Sequence, residues 1–115
     1  MNLENTQAQM RKGILEYAIL SLINIQEMYV ADLLAALRKG GLQVVEGTVY
    51  PLLTRLKNAE ILAYRWEEST GGPPRKYYRI TEKGREFLTE LEKTWTELST
   101  AINSITSQNK TKDHE

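Results

Sequence analysis

The chain has 115 residues, 41% hydrophobic and 26% charged, with fifteen cations, fifteen carboxylates and no cysteine. That suffices for one domain with a modest core and excludes disulfide frameworks and thiolate zinc sites. No apolar run approaches the roughly 20 residues of a membrane span, and the first ten residues lack the apolar stretch of a secretion signal, so a cytoplasmic protein with no membrane partner is expected.

The first periodic segment, residues 9–24, repeats Leu15, Ala18, Ile19, Leu22 and Ile23 at helical spacing. A second helix is predicted over 29–38, with Val30, Leu33, Leu34 and Leu37 on one stripe and Gly40-Gly41 as its stop. Residues 42–45 form either a brief strand or an extended lead-in. A third helix follows over 46–59, with Val49, Leu52, Leu53 and Leu56 inward. Pro51 is tolerated in a first helical turn, so the regular helix is expected to begin only shortly before it. Residues 63–68 and 76–80 alternate as half-buried strands, joined by the turn-rich Ser69-Thr70-Gly71-Gly72-Pro73-Pro74-Arg75. Trp66, Tyr77 and Tyr78 are expected to pack within this hairpin.

Thr81 is placed to cap the last helix, predicted over 81–106. Leu88, Leu91, Trp95, Leu98, Ile102 and Ile105 fall at spacings of three and four, the seam of a coiled coil. About 25 helical residues make a rod of roughly 37 Å, which needs a partner, so a homodimer is expected along that seam. Residues 107–115, including the lone His114, read as a polar disordered tail.

The fold class is therefore mostly α with a two-stranded wing: a winged helix-turn-helix over 1–80 and a C-terminal dimerisation helix over 81–106, with the first helix assisting the dimer. Such a fold presents its third helix to a major groove. The outward residues there are Thr48, Tyr50, Thr54, Arg55 and Asn58, and the wing tip offers Gly72 for close approach with Arg75 and Lys76 for phosphates. Charge is distributed accordingly. Residues 38–85 carry ten cations against five carboxylates, while both flanks are net acidic.

The run Glu46-Gly47-Thr48-Val49-Tyr50-Pro51-Leu52-Leu53-Thr54-Arg55-Leu56, followed by Gly71-Gly72-Pro73-Pro74-Arg75-Lys76-Tyr77-Tyr78 and Thr81-Glu82-Lys83-Gly84, resembles the PadR family of bacterial transcriptional regulators. The resemblance covers roughly residues 13–98 and is to the short type with one C-terminal helix. It implies a homodimeric winged-helix repressor of duplex DNA, with Tyr50 and the Arg75-Lys76 pair on the DNA backbone. By the same resemblance Trp95 lines a space between subunits for a small aromatic or hydrophobic effector. Val45 departs from the pattern, standing where relatives often carry a polar cap before the third helix. Val30-Ala31-Asp32 departs too, where many relatives carry a glycine-tyrosine pair.

Enzymatic chemistry finds no footing. No histidine lies within the predicted fold, there is no cysteine nucleophile, and no glycine-rich phosphate loop follows a strand. No cofactor or metal is expected. The zero net charge keeps one alternative in view, a winged-helix protein–protein interaction module that does not bind DNA.

Overall fold

The computed structural model describes residues 1–113. Helix α1 spans Leu3–Ile25 and starts earlier than its apolar pattern suggests, because the Asn2 side chain accepts from the Asn5 N–H at 3.2 Å and caps it. Only its second half reaches the core, through Leu15, Ile19, Leu20 and Ile23, and residues 1–14 are exposed. The chain then runs extended through Met28, which exchanges two backbone hydrogen bonds with Tyr78 (3.1 and 2.8 Å). This short bridge fastens the later hairpin to the start of the domain.

Helix α2, Val30–Lys39, buries Val30, Leu33, Leu34 and Leu37. Its end is fixed by Gly41 at φ 100°, a conformation that costs glycine little. The Leu42 N–H returns to the Leu37 carbonyl at 2.9 Å. Of the two alternatives for residues 42–45, the extended lead-in is observed. Arg38 donates to the Val44 carbonyl at 3.0 and 3.3 Å and ties the segment down.

Helix α3, Glu46–Asn58, buries Val49, Leu53 and Leu56. Val45 precedes it without a side-chain cap. Pro51 stands inside the helix, five residues beyond its first position, rather than in the first turn. Its ring removes the donor that would pair with the Gly47 carbonyl. The helix closes with Ile61 N–H on the Leu56 carbonyl and Glu60 N–H on that of Lys57, both at 3.0 Å, and with Glu60 at φ 63°. A non-glycine residue in that region is strained by about 1 kcal/mol. Glu60→Gly is therefore expected to stabilise the fold by roughly 0.5–1 kcal/mol, read as a rise of a few degrees in Tm.

Strands β1 (Leu62–Glu67) and β2 (Arg75–Ile80) pair antiparallel with Leu62 opposite Ile80 and Tyr64 opposite Tyr78. Helix α4, Glu82–Asp113, follows directly. The Thr81 hydroxyl donates to the Glu60 carbonyl (2.6 Å) and accepts from the Gly84 N–H (3.0 Å), so the expected cap is in place. The helix continues seven residues past residue 106, so residues 107–113 are helical rather than a disordered tail. His114 and Glu115 lie outside the described residues.

One core gathers residues from all four helices and both strands, with no buried polar or charged side chain among the described residues. Leu88 is buried in it and Leu91 packs against it. Beyond them α4 leaves the globule. Overall extents are 64 × 29 × 23 Å and the radius of gyration is 17.3 Å, against about 13 Å for a compact chain of this length.

Candidate nucleic-acid interface

With Val49, Leu53 and Leu56 turned into the core, the helical period carries Gly47, Pro51, Thr54 and Asn58 to the opposite side of α3, where all four are exposed. Thr48 and Arg55 lie on the flank toward α1, where both line an apolar-walled cleft of about 590 Å³ with Leu15, Val45 and Leu52. Tyr50 lies on the other flank, facing the wing. It shares a cleft of about 360 Å³ with Trp66, Arg75, Lys76 and Tyr78.

The structure sorts the cations of this face into two groups. The Arg55 guanidinium donates to the Glu16 carboxylate of α1 in an ion pair. Arg65 pairs with Glu27 at 2.9 Å and with Glu67 at 3.5 Å, and the Glu27 hydrogen bond holds its pKa above the ordinary guanidinium value. Both charges are largely neutralised within the chain. Lys57, Arg75 and Lys76 are in no ion pair among the described residues and rest on aromatic rings instead. Arg75 lies 4.6 Å from the Tyr29 ring centroid. Lys76 lies 4.3 Å from Tyr64 and 5.2 Å from Trp66, and Lys57 lies 5.7 Å from Tyr64. A cation over a ring keeps its charge and its approach from solvent, so these three remain free to meet an anion. Of them, Lys57 was not among the residues the helical pattern singled out.

Strand alternation starts the Arg75 and Lys76 side chains on opposite faces of the hairpin, across from Glu67 and Trp66, and both still border the Tyr50 cleft. Gly72 stands exposed at the tip, in a turn braced by the Ser69 hydroxyl donating to the Pro73 carbonyl at 2.7 Å. The expected packing of the wing aromatics holds for Tyr78, which is buried and whose phenol pKa is raised by that burial. It holds for Tyr77, half-buried with its ring centroid 5.3 Å from that of Tyr29. It fails for Trp66. Along one face of β1, relative exposure climbs from 2% at Leu62 to 36% at Tyr64 and 62% at Trp66, as the strand runs out past the core.

On α4, the six residues read from the heptad spacing fall into two sets. Leu88 and Leu91 belong to the chain's own core. Trp95, Leu98, Ile102 and Ile105 are exposed, and Trp95 touches the chain through Tyr17 of α1, ring centroids 6.4 Å apart. No helix among the described residues is long and apolar enough to cross a membrane, and no group of histidines or carboxylates there could hold a metal ion.

Three helices with an antiparallel wing, and a third helix whose polar side faces out beside free cations, define a winged helix-turn-helix of the DNA-binding type. The model of the PadR-like family of transcriptional regulators matches residues 19–90, and the chain belongs to that family. The fold is similar to a PadR-like transcription factor from Bacteroides fragilis, with a TM-score of 0.75, 54% identity and coverage of 88% of this chain and 98% of that one. It is also similar to a PadR-like transcriptional regulator from Bacillus cereus, with a TM-score of 0.77, 42% identity and coverage of 84% and 95%. An uncharacterized protein from Lysinibacillus sphaericus is 32% identical over 94 residues, covering 79% of this chain and 86% of that protein.

Proposed function

We propose that this regulator is a repressor that binds an inverted-repeat operator as a homodimer, in the cytoplasm where the chromosome lies. The observation that carries the DNA reading is the exposed Thr54 and Asn58 of α3 flanked by Lys57, Arg75 and Lys76, none of which is neutralised by a carboxylate. Thr54 and Asn58 have the donors and acceptors to read base edges. Tyr50, Arg75 and Lys76 serve the phosphates, with Gly72 allowing the wing tip to come close. Thr48 lies on the α1 side of the same helix and serves the backbone there. Arg55 joins them only after leaving Glu16.

The apolar row of Trp95, Leu98, Ile102 and Ile105 supports the dimer, since an isolated helix would not keep four such side chains in water over its outer turns. Two copies related by a two-fold axis would set their third helices into successive major grooves, about 34 Å apart. Trp95, half exposed on Tyr17, is the residue we assign to a small aromatic or hydrophobic effector that relieves repression by favouring a spacing unsuited to the operator. Quenching of tryptophan emission by such compounds, lost in Trp95→Phe but kept in Trp66→Phe, tests that assignment.

The test of the whole reading is a cleavage footprint on DNA upstream of the protein's own gene. Two protected half-sites related by symmetry are expected, and a footprint without two-fold symmetry contradicts the dimeric repressor. The two arginines should also separate. Arg75→Ala is expected to weaken cognate and scrambled duplexes alike, by about 3- to 10-fold, and to lower the salt slope by about one. Arg55→Ala should change affinity less, because its charge is already taken by Glu16. Binding isotherms at several salt concentrations check both.

A further inference from the structure

Trp66 is the largest side chain on the wing, yet it stands in solvent beside the recognition helix. Its surroundings are specific. Tyr64 meets it edge-on, ring centroids 6.2 Å apart at 85°. The Lys76 ammonium bridges the two rings, at 4.3 Å from Tyr64 and 5.2 Å from Trp66. Lys57, reaching from the last turn of α3, lies 5.7 Å from the same Tyr64 ring. Two like charges thus converge on one ring with no carboxylate paired to either among the described residues. The strip is continuous with the recognition surface at both ends. Lys57 and Asn58 share a hollow with Tyr64, and Tyr50 shares the wing cleft with Trp66 and Lys76.

A strand of nucleic acid alternates an apolar sugar face with an anionic phosphate. A surface that alternates aromatic rings with unpaired ammonium groups is its complement in both charge and polarity. We propose that Lys57, Tyr64, Lys76 and Trp66 form a second contact surface for the duplex, on which the Trp66 ring packs against deoxyribose while the two lysines take the flanking phosphates. Trp66 is therefore a backbone-contacting residue. It fixes the wing on the backbone and adds affinity without reading bases. An exposed indole held in place by Tyr64 and Lys76 loses little freedom on binding, which suits it to this task.

The inference rests on the DNA-binding reading, and its test separates the two. Anisotropy titrations of the full chain would use labelled duplex from upstream of its own gene and a scrambled duplex, at several salt concentrations. Trp66→Ala is expected to weaken both duplexes by about tenfold, as loss of buried apolar area does, with the salt slope unchanged. Trp66→Phe should recover most of the affinity, and Lys57→Ala should lower the slope by about one. The change in tryptophan emission on adding duplex should be present in the wild type and absent in Trp66→Phe. Circular dichroism and Tm matching the wild type are expected for all three variants, since the replaced side chains are exposed.

Wild-type protein that binds duplex, with a Trp66→Ala variant that binds equally well, overturns the proposal and leaves the DNA reading standing. A Trp66→Ala variant that changes the sedimenting mass also overturns it, since the face would then be a contact between copies. Wild-type protein that binds no duplex at low salt overturns both.

Discussion

Ile102→Glu is expected to leave the protein monomeric at concentrations where the wild type sediments as a dimer, and to weaken operator binding by at least about 100-fold. Ile102 is 56% exposed, and Trp95, Leu98 and Ile105 are similarly open. The protomer's own packing does not use Ile102, so the substitution should not unfold the single chain. In a two-fold dimer each substitution occurs twice, and two carboxylates brought into one apolar seam must be desolvated without partners. Binding two half-sites as one unit multiplies affinity by a factor of about 10² to 10⁴ over one half-site, and that factor disappears with the dimer. Sedimentation and operator titration on the same preparation measure both effects. Leu88→Ala should behave differently, lowering Tm first, because Leu88 is buried within the protomer. A dimeric Ile102→Glu protein with wild-type affinity would show that α4 is not the seam.

Gly84→Ala is expected to be the most destabilising single-methyl change in the chain, costing about 3 kcal/mol or more. A Cβ at Gly84 would overlap the Ile61 carbonyl oxygen and lie 2.7 Å from the Ile80 Cγ1. The first of these is backbone held from several sides. Thr81 N–H donates to that same Ile61 carbonyl at 3.1 Å, and the Thr81 hydroxyl binds Glu60 and caps Gly84. Relief therefore requires the first turn of α4 to lift away from the end of α3, breaking the cap as it goes. Domains of this size carry about 5–15 kcal/mol in total, so Tm should fall by roughly 12 °C or more. Gly13→Ala is the matched control. It lies within α1 with nothing within 4 Å of an added Cβ, and it should be neutral or stabilise by up to about 1 kcal/mol. Thermal melts of the two variants at equal protein concentration should move in opposite directions or differ by most of the Gly84 effect. Equal shifts would contradict the close-approach explanation.

The same short segment shows which features the sequence makes legible. Thr81-Glu82-Lys83-Gly84 can be read as a helix start because a capping hydroxyl is a local device. The need for glycine at the fourth position is invisible there, since it depends on Ile61, twenty-three residues earlier. The apolar stripes of α1, α2 and α3 are local periodicities and were legible for the same reason. Ends were less so. Residues 3–8 and 107–109 are helical and exposed, with no core beneath them, so no apolar pattern marks these ends. Pro51 is accommodated deeper in α3 than a first-turn rule suggests.

The site followed the same division. Which residues of α3 face outward followed from the period alone. Arg55 belongs to that set, yet the fold brings Glu16 to it across thirty-nine positions, and only the tertiary structure reveals the pairing. Strand alternation groups Trp66 with Tyr64 on one side of a strand read over 63–68, and the observed register sets Tyr64 opposite Tyr78. It could not show that the core ends beneath Tyr64, so a residue expected to pack within the wing stands in solvent.

On the proposed reading, this face binds duplex DNA in a sequence-dependent way. Fluorescence anisotropy with a labelled duplex from upstream of the protein's own gene, beside a scrambled duplex and at two salt concentrations, tests it most directly. Binding should be tight, favour the native sequence and weaken steeply as salt rises. Absence of binding to any duplex at low salt would contradict it, and would turn the same exposed cations and aromatics toward a protein partner.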